Sequence, residues 1–439
     1  MVDIRAFKGF VYDSKKVKIE NVVAPPYDVI SQEEQERLYE LDEHNVVRLV
    51  LGKIFDDDND SDNRYTRAAR FLEDWLDRGI IKRHKEDSIY IYEQEFTLPD
   101  GRIMNRSGFI ALASIEEPGK GNIFPHENTL SKPKEDRLKL MRSCQGNLCQ
   151  IFSLFPDKER KVDSLLQQEK RQAPIFDFYD NNRIRNRLWQ ISHIDTVEKI
   201  RNEMSEKKLF IADGHHRYET AVNYMKEMRE KDTNYTGNEP YNFVMMMFVN
   251  TYNEGLAVLP IHRLIHSVEE FKEETFLKRI SEAFEVERVE GEGWENDLSD
   301  MLKKKGEKRT SFAVVFKDSG NNYIISVKDN EIIENYFDSS FPEELKSLDV
   351  TILHKVILEN FLGIDEESLR DQKNVTYIKD WNRSLRMLKE GDYQAAFLLN
   401  ATPVEAVTKV AEKGLRMPQK STFFYPKLLT GLVFNLFRS

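Results

Sequence analysis

The segment Leu209-Phe210-Ile211-Ala212-Asp213-Gly214-His215-His216-Arg217-Tyr218 runs a compact apolar stretch into an acid, a glycine, two imidazoles and a guanidinium. Directly after it, Tyr218, Ala221, Val222 and Met225 fall at i, i+3, i+4 and i+7, one face of an amphipathic helix. The spacing predicts a strand over 208–212 and a helix starting at once. Helix N-termini leave backbone N–H groups without intrahelical acceptors and carry partial positive charge. Glycine lets a ligand approach the backbone closely. With His215, His216 and Arg217 added, this turn suits an anion of phosphate size. A bland alternative is that Asp213 only caps the helix. A two-histidine metal site is a poorer reading, because adjacent residues on a helix point about 100° apart, whereas metal-binding pairs sit at i, i+4.

Two other segments carry candidate groups. Phe124-Pro125-His126-Glu127-Asn128-Thr129 places Glu127 between His126 and Thr129, ahead of the cations Lys132, Lys134 and Arg137. A carboxylate near cations can act as general base toward an alcohol. Arg416-Met417-Pro418-Gln419-Lys420-Ser421-Thr422 continues through Phe423-Phe424-Tyr425-Pro426 to Lys427. Lys420, Ser421 and Thr422 supply one positive charge and two hydroxyls, a set suited to phosphate oxygens. The glycines of a Walker loop are missing. Ala24-Pro25-Pro26-Tyr27-Asp28 makes a stiff turn that could line a cleft, and Leu259-Pro260-Ile261-His262-Arg263 could place His262 and Arg263 in a substrate pocket.

The elements that must position these groups are mixed. Strands are expected at 46–51, 89–96, 108–115, 150–155, 243–249, 256–260, 311–316, 322–327, 375–378 and 395–399. Helices are expected at 65–76 (stopping near Gly79), 134–143, 349–361 and 403–413. Residues 122–133 read as irregular, and those from 156 to about 186 as helix and linker. Asp56-Asp57-Asp58-Asn59-Asp60 is a solvated loop lacking calcium-loop spacing. The fold class is α+β, with helices and strands mixed along the chain.

Composition narrows the function classes. The 439 residues include 65 Lys+Arg and 76 Asp+Glu, a net charge of −11, so general nucleic-acid binding is disfavoured. No apolar run approaches the roughly 18 residues of a membrane span. Cys144 and Cys149 are the only cysteines, which points to a reducing cytoplasm and excludes a four-cysteine zinc site.

Together, Pro-His-Glu, Asp-Gly-His-His-Arg and Pro-x-Lys-[Ser/Thr]-Thr resemble the motifs of archaeal free-serine kinases of the ParB/sulfiredoxin superfamily. Ala24-Pro25-Pro26-Tyr27-Asp28-Val29 and Met417-Pro418-Gln419-Lys420-Ser421-Thr422 resemble signatures of a bacterial family labelled as a domain of unknown function. That second resemblance spans the whole chain, and the family is understood to include pyrophosphate-dependent serine kinases. The resemblance implies a ParB/sulfiredoxin-like catalytic core at 101–267, with α/β extensions at 1–100 and 268–439. It implies Glu127 as the base for the serine hydroxyl and Asp213 at the reaction centre. Gly214, His215, His216 and Arg217 would form the phosphate turn, and Lys420, Ser421 and Thr422 a second phosphate-contacting segment. One consequence is an anion touched by both Arg217 and Lys420.

The implied activity is phosphorylation of L-serine to O-phospho-L-serine, with pyrophosphate as donor and magnesium as companion ion. The alternatives are ADP or ATP as donor, or a non-catalytic phosphometabolite sensor. The extensions depart from the archaeal pattern and leave the donor open. No Gly-rich nucleotide loop is present, which favours a small donor held by charge. A sulfiredoxin-like reductase would need a cysteine where His215 stands.

Overall fold

The computed structural model describes residues 2–117, 119–127 and 131–438. The chain forms two compact units: Met1–Pro125 with Thr129–Leu256 and Pro426–Ser439, and His126–Asn128 with Ala257–Tyr425. The fold is α+β.

The first unit is built on a mixed sheet of nine strands among the described residues. The order is Ile123–Pro125, Leu209–Asp213, Ile151–Phe155, Phe243–Asn250, Ile103–Ser114, Ile89–Thr97, Arg185–Ile191 and Phe176–Tyr179, and Ile4–Arg5 also joins Ile103–Ser114. Phe243–Asn250 is buried along its whole length, so it is apolar on both faces rather than alternating. The helices His215–Lys231, Ile194–Met204 and Lys161–Glu169 pack on the sheet, where Tyr218, Met225, Ile200 and Val162 join Phe109, Met246 and Phe248 in one core.

Several expectations change here. Residues 46–51 form a helical turn, Val47–Val50, rather than a strand. Asn45 explains it: its Oδ1 accepts the Val47 N–H at 2.9 Å while its Nδ2 donates to Asn21 O at 2.6 Å. Val46, Val47, Leu49 and Val50 are all buried in that conformation, so burial overrides β propensity. The polar stretch 122–133 contains the edge strand Ile123–Pro125 and the start of the helix Ser131–Cys144. Beyond the helix Lys161–Glu169, the expected linker is a hairpin of Phe176–Tyr179 and Arg185–Ile191. Asp180 makes its turn, accepting the N–H groups of Asn182 at 2.8 Å and Ile184 at 3.0 Å.

The second unit holds an antiparallel six-stranded sheet in the order Phe284–Val289, Asn322–Val327, Ser311–Phe316, Ala395–Leu398, His262–Ile265, Val375–Ile378. Helices cover both faces, including Glu273–Ile280 and Trp294–Gly306. The helix expected at 349–361 is one turn, Asp349–Thr351, running into the π-helix Ile352–Phe361. Among the described residues, no helix is long and apolar enough to cross a membrane.

Candidate functional site

In the first unit, Leu209–Asp213 lies between Ile123–Pro125, which it pairs in parallel, and Ile151–Phe155, which it pairs antiparallel. The register against Ile151–Phe155 shifts between Ile211 and Asp213, which re-aims the strand end. Gly214 then adopts φ 92° and caps the helix His215–Lys231. A Cβ there would lie 2.8 Å from the Arg217 guanidinium, so glycine is required both for the backbone and for the arginine that folds over it.

Asp213 is held by cations on both carboxylate oxygens. Its Oδ2 accepts from Arg217 Nη2 at 2.6 Å and its Oδ1 pairs with Lys427 Nζ. Arg217 Nη1 also donates to the Gln150 carbonyl. The Lys427, Arg217 and Asp213 side chains are only 15%, 13% and 17% exposed. Burial alone would raise the Asp213 pKa. The Lys427 ammonium and the Arg217 guanidinium outweigh it, with help from His215, and hold the carboxyl well below the usual range. Two cations thus share one carboxylate at a helix N-terminus. His215 is buried and His216 half-buried on the first turn.

Lys427 is positioned through its backbone. Its carbonyl accepts from Gln94 Nε2 at 3.2 Å, and the preceding Pro426 carbonyl accepts from the buried Arg106 at 2.5 Å. Nearby, the Tyr27 ring lies 3.8 Å from the Arg137 guanidinium carbon, and both line a cavity of about 50 Å³ with Arg217, Asn147 and Cys149. Burial, partly offset by Arg137, pushes the Tyr27 phenol up to about 12. The stiff turn that carries Tyr27 is anchored by paired backbone hydrogen bonds between Ala24 and Thr430, at 3.1 and 2.8 Å.

In the second unit, the Pro-His-Glu and Lys-Ser-Thr segments are stitched together. Met417 N donates to His126 O at 2.8 Å, and Glu127 and Met417 form a parallel bridge. Glu127 Oε1 accepts the Lys420 N–H at 3.2 Å, and its carbonyl accepts from Arg416 at 3.3 Å. His126 Nε2 lies 3.3 Å from Thr422 Oγ1. Lys420 takes φ 57°, and its exposed side chain leaves a backbone held by Arg263 Nη2 on its carbonyl at 3.0 Å. Ser421 Oγ donates to Pro418 O at 2.5 Å, so this hydroxyl is used within its own loop.

His262 and Arg263, expected in a substrate pocket, are each 1% exposed on the strand His262–Ile265. His262 Nδ1 accepts the Leu399 N–H at 3.2 Å, and burial, reinforced by Arg263, pushes its pKa down to about 3. Arg263 Nη2 donates both to His354 Nε2 at 3.1 Å and to the Lys420 carbonyl at 3.0 Å. Thr129 lies outside the described residues, as does Asn128. Of the cations that follow, Lys134 pairs with Glu219 at 3.0 Å and Arg137 with Asp136 at 2.7 Å.

Lys427 closes the third motif, whose pattern assigns it no role. It lies 214 positions from Asp213, and no local spacing marks it out. Gln94, Arg106 and Gln150 are likewise unmarked by any local spacing. Among the described residues, no group of three or more His, Cys, Asp or Glu could hold a metal ion.

The family model described as "Protein of unknown function (DUF1015)" matches residues 4–351, which include Glu127 and the Asp213–Arg217 turn but neither Lys420 nor Lys427. No curated protein matches. Among solved structures, a free serine kinase in complex with AMP is 12% identical, with TM-score 0.32, covering 69% of this chain and 83% of that one. A conserved hypothetical protein from Pyrococcus furiosus is 11% identical, with TM-score 0.34 and coverage of 72% and 91%. SbnI with C-terminal truncation from Staphylococcus aureus is 8% identical, with TM-score 0.33 and coverage of 73% and 85%. Likeness this distant carries no argument about activity or ligand.

Proposed function

The chain belongs to that family, and on this premise we propose that it is a phosphotransferase that phosphorylates free L-serine, with inorganic pyrophosphate as preferred donor. The observation that carries the proposal is the pairing of Asp213 with both Lys427 and Arg217 at the start of the helix His215–Lys231. Phosphoryl transfer is mainly positioning and charge stabilisation, and this cluster offers preorganised cations, helix N–H groups and a glycine that admits close approach. The motif resemblance to free-serine kinases supplies the acceptor.

In this reading the turn of Gly214, His215, His216 and Arg217 grips donor phosphate, and Asp213 keeps Arg217 and Lys427 in place. Glu127, whose Oε1 is tied to the Lys420 N–H, takes the serine hydroxyl proton. Lys420 and Thr422 contribute a cation and a hydroxyl toward phosphate oxygens. With both Asp213 oxygens paired to cations, the described residues do not build a magnesium cage. Magnesium would accompany the donor's own phosphates.

Purified protein is incubated with L-serine and pyrophosphate, ADP or ATP, and O-phosphoserine is followed by phosphorus NMR. Pyrophosphate is expected to give the fastest turnover. Turnover with a nucleotide but not with pyrophosphate overturns the donor and keeps the kinase. Donor binding without product from any of the three makes the protein a sensor.

A further inference from the structure

The second unit contains a cavity of about 370 Å³ that the proposed chemistry leaves unused. Its floor is apolar, formed by Phe341, Leu345, Leu369, Tyr377 and Met417. Its rim carries both signs of charge: Lys355, Arg370 and Arg416 against Glu359, Glu366 and Glu367. Lys355 already pairs with Glu359 at 2.9 Å and lies 3.4 Å from Glu366, so the rim has no excess charge for a polyanion. The π-helix Ile352–Phe361 forms part of the wall, and π-turns recur at functional sites.

We infer that this cavity binds an α-amino acid with an apolar side chain. The carboxylate meets the rim cations, the ammonium meets the rim glutamates, and the side chain covers the floor. A zwitterion answers both charges at once, whereas phosphate answers only the cations. The wall is also continuous with the Lys420 segment. Met417 hydrogen bonds to His126, and His354 accepts from Arg263, which holds the Lys420 carbonyl. Occupancy therefore bears on the Glu127–Lys420 pair, a consequence that rests on the kinase reading; the binding itself does not.

Calorimetric titration of the full chain with L-leucine and L-phenylalanine tests this, with L-serine and inorganic phosphate as comparators. Saturable binding of at least one apolar amino acid is expected, with serine at least tenfold weaker for want of about two to three buried methylenes. Arg370→Ala, on the exposed rim, should weaken binding by about tenfold or more. The inference is overturned by no saturable heat up to roughly 10 mM of either amino acid. It is also overturned by binding that Arg370→Ala leaves unchanged, or by phosphate binding that it weakens instead. Serine kinase activity measured alongside separates failure of this site from failure of the kinase reading.

Discussion

Asp213 lies between two cations that act on it in the same direction, and that arrangement has measurable consequences. Lys427→Met removes one of them and leaves Arg217 to hold the carboxylate alone. It should cost about 1–3 kcal/mol in urea unfolding at pH 7, less than a fully buried pair because the lysine keeps some exposure. It should also lower turnover. The folded pKa of Asp213 lies below its ordinary value of 3.8. The ionised carboxylate therefore contributes stability that is fully present above that value and is lost as pH falls through the folded pKa. The stability gap between the parent and Asp213→Asn should accordingly be constant near neutrality and close only below about pH 4. A gap that closes between pH 5 and 7 would show that the two cations do not hold the carboxylate as described. Glu127→Gln preserves shape and acceptance of the Lys420 N–H but removes the basic lone pair. Its kcat should fall by roughly 10²–10⁴-fold with KM for serine changed much less. A loss confined to serine KM would recast Glu127 as a ligand for the substrate's amino group.

The turn at Gly214 couples an element boundary to a side chain. Gly214→Ala has to place a Cβ at φ 92° and against the Arg217 guanidinium. We expect a loss of at least about 1 kcal/mol in urea unfolding, together with weaker phosphate binding by calorimetry. An alanine variant with parental stability would mean that the helix start relaxes freely. Elements with strong local patterns were legible in the chain: the strand Leu209–Asp213, the stripe of Tyr218, Ala221, Val222 and Met225, and the apolar run from Phe243 to Val249. The failures share one cause. Val47–Val50 is helical because Asn45 and a buried neighbourhood favour it, against β propensity. Phe176–Tyr179 is an edge strand of only four residues, too short for its alternation to stand out until Arg185–Ile191 pairs with it.

The C-terminal segment returns to the first unit, and much of that unit depends on it. Asn435–Leu436 pairs with Gly146–Asn147, and Phe434 exchanges backbone hydrogen bonds with Phe10 at 2.9 and 2.8 Å. Leu428, Leu429, Leu432, Val433, Phe434 and Leu436 are buried, each worth about 1.5–3 kcal/mol. A chain ending at Tyr425 forfeits all of these and Lys427. The loss is comparable with the whole stability of about 5–15 kcal/mol typical of a domain. It should lack a cooperative urea transition for the first unit and be cut rapidly there by protease. A truncated chain with a parental transition would show the segment to be dispensable. What the sequence determined alone is what neighbours in the chain decide: the mixed fold class, the periodic elements, the strand-to-helix turn at Asp213 and the three motifs. Folding decided the partners. It put Lys427 on Asp213, Gln94 and Arg106 on the carbonyls that aim Lys427, and Lys420 on Glu127, at separations of hundreds of residues. Periodicity and propensity act over a few residues, whereas ion pairs and strand pairing are set by whichever groups the packed core leaves side by side.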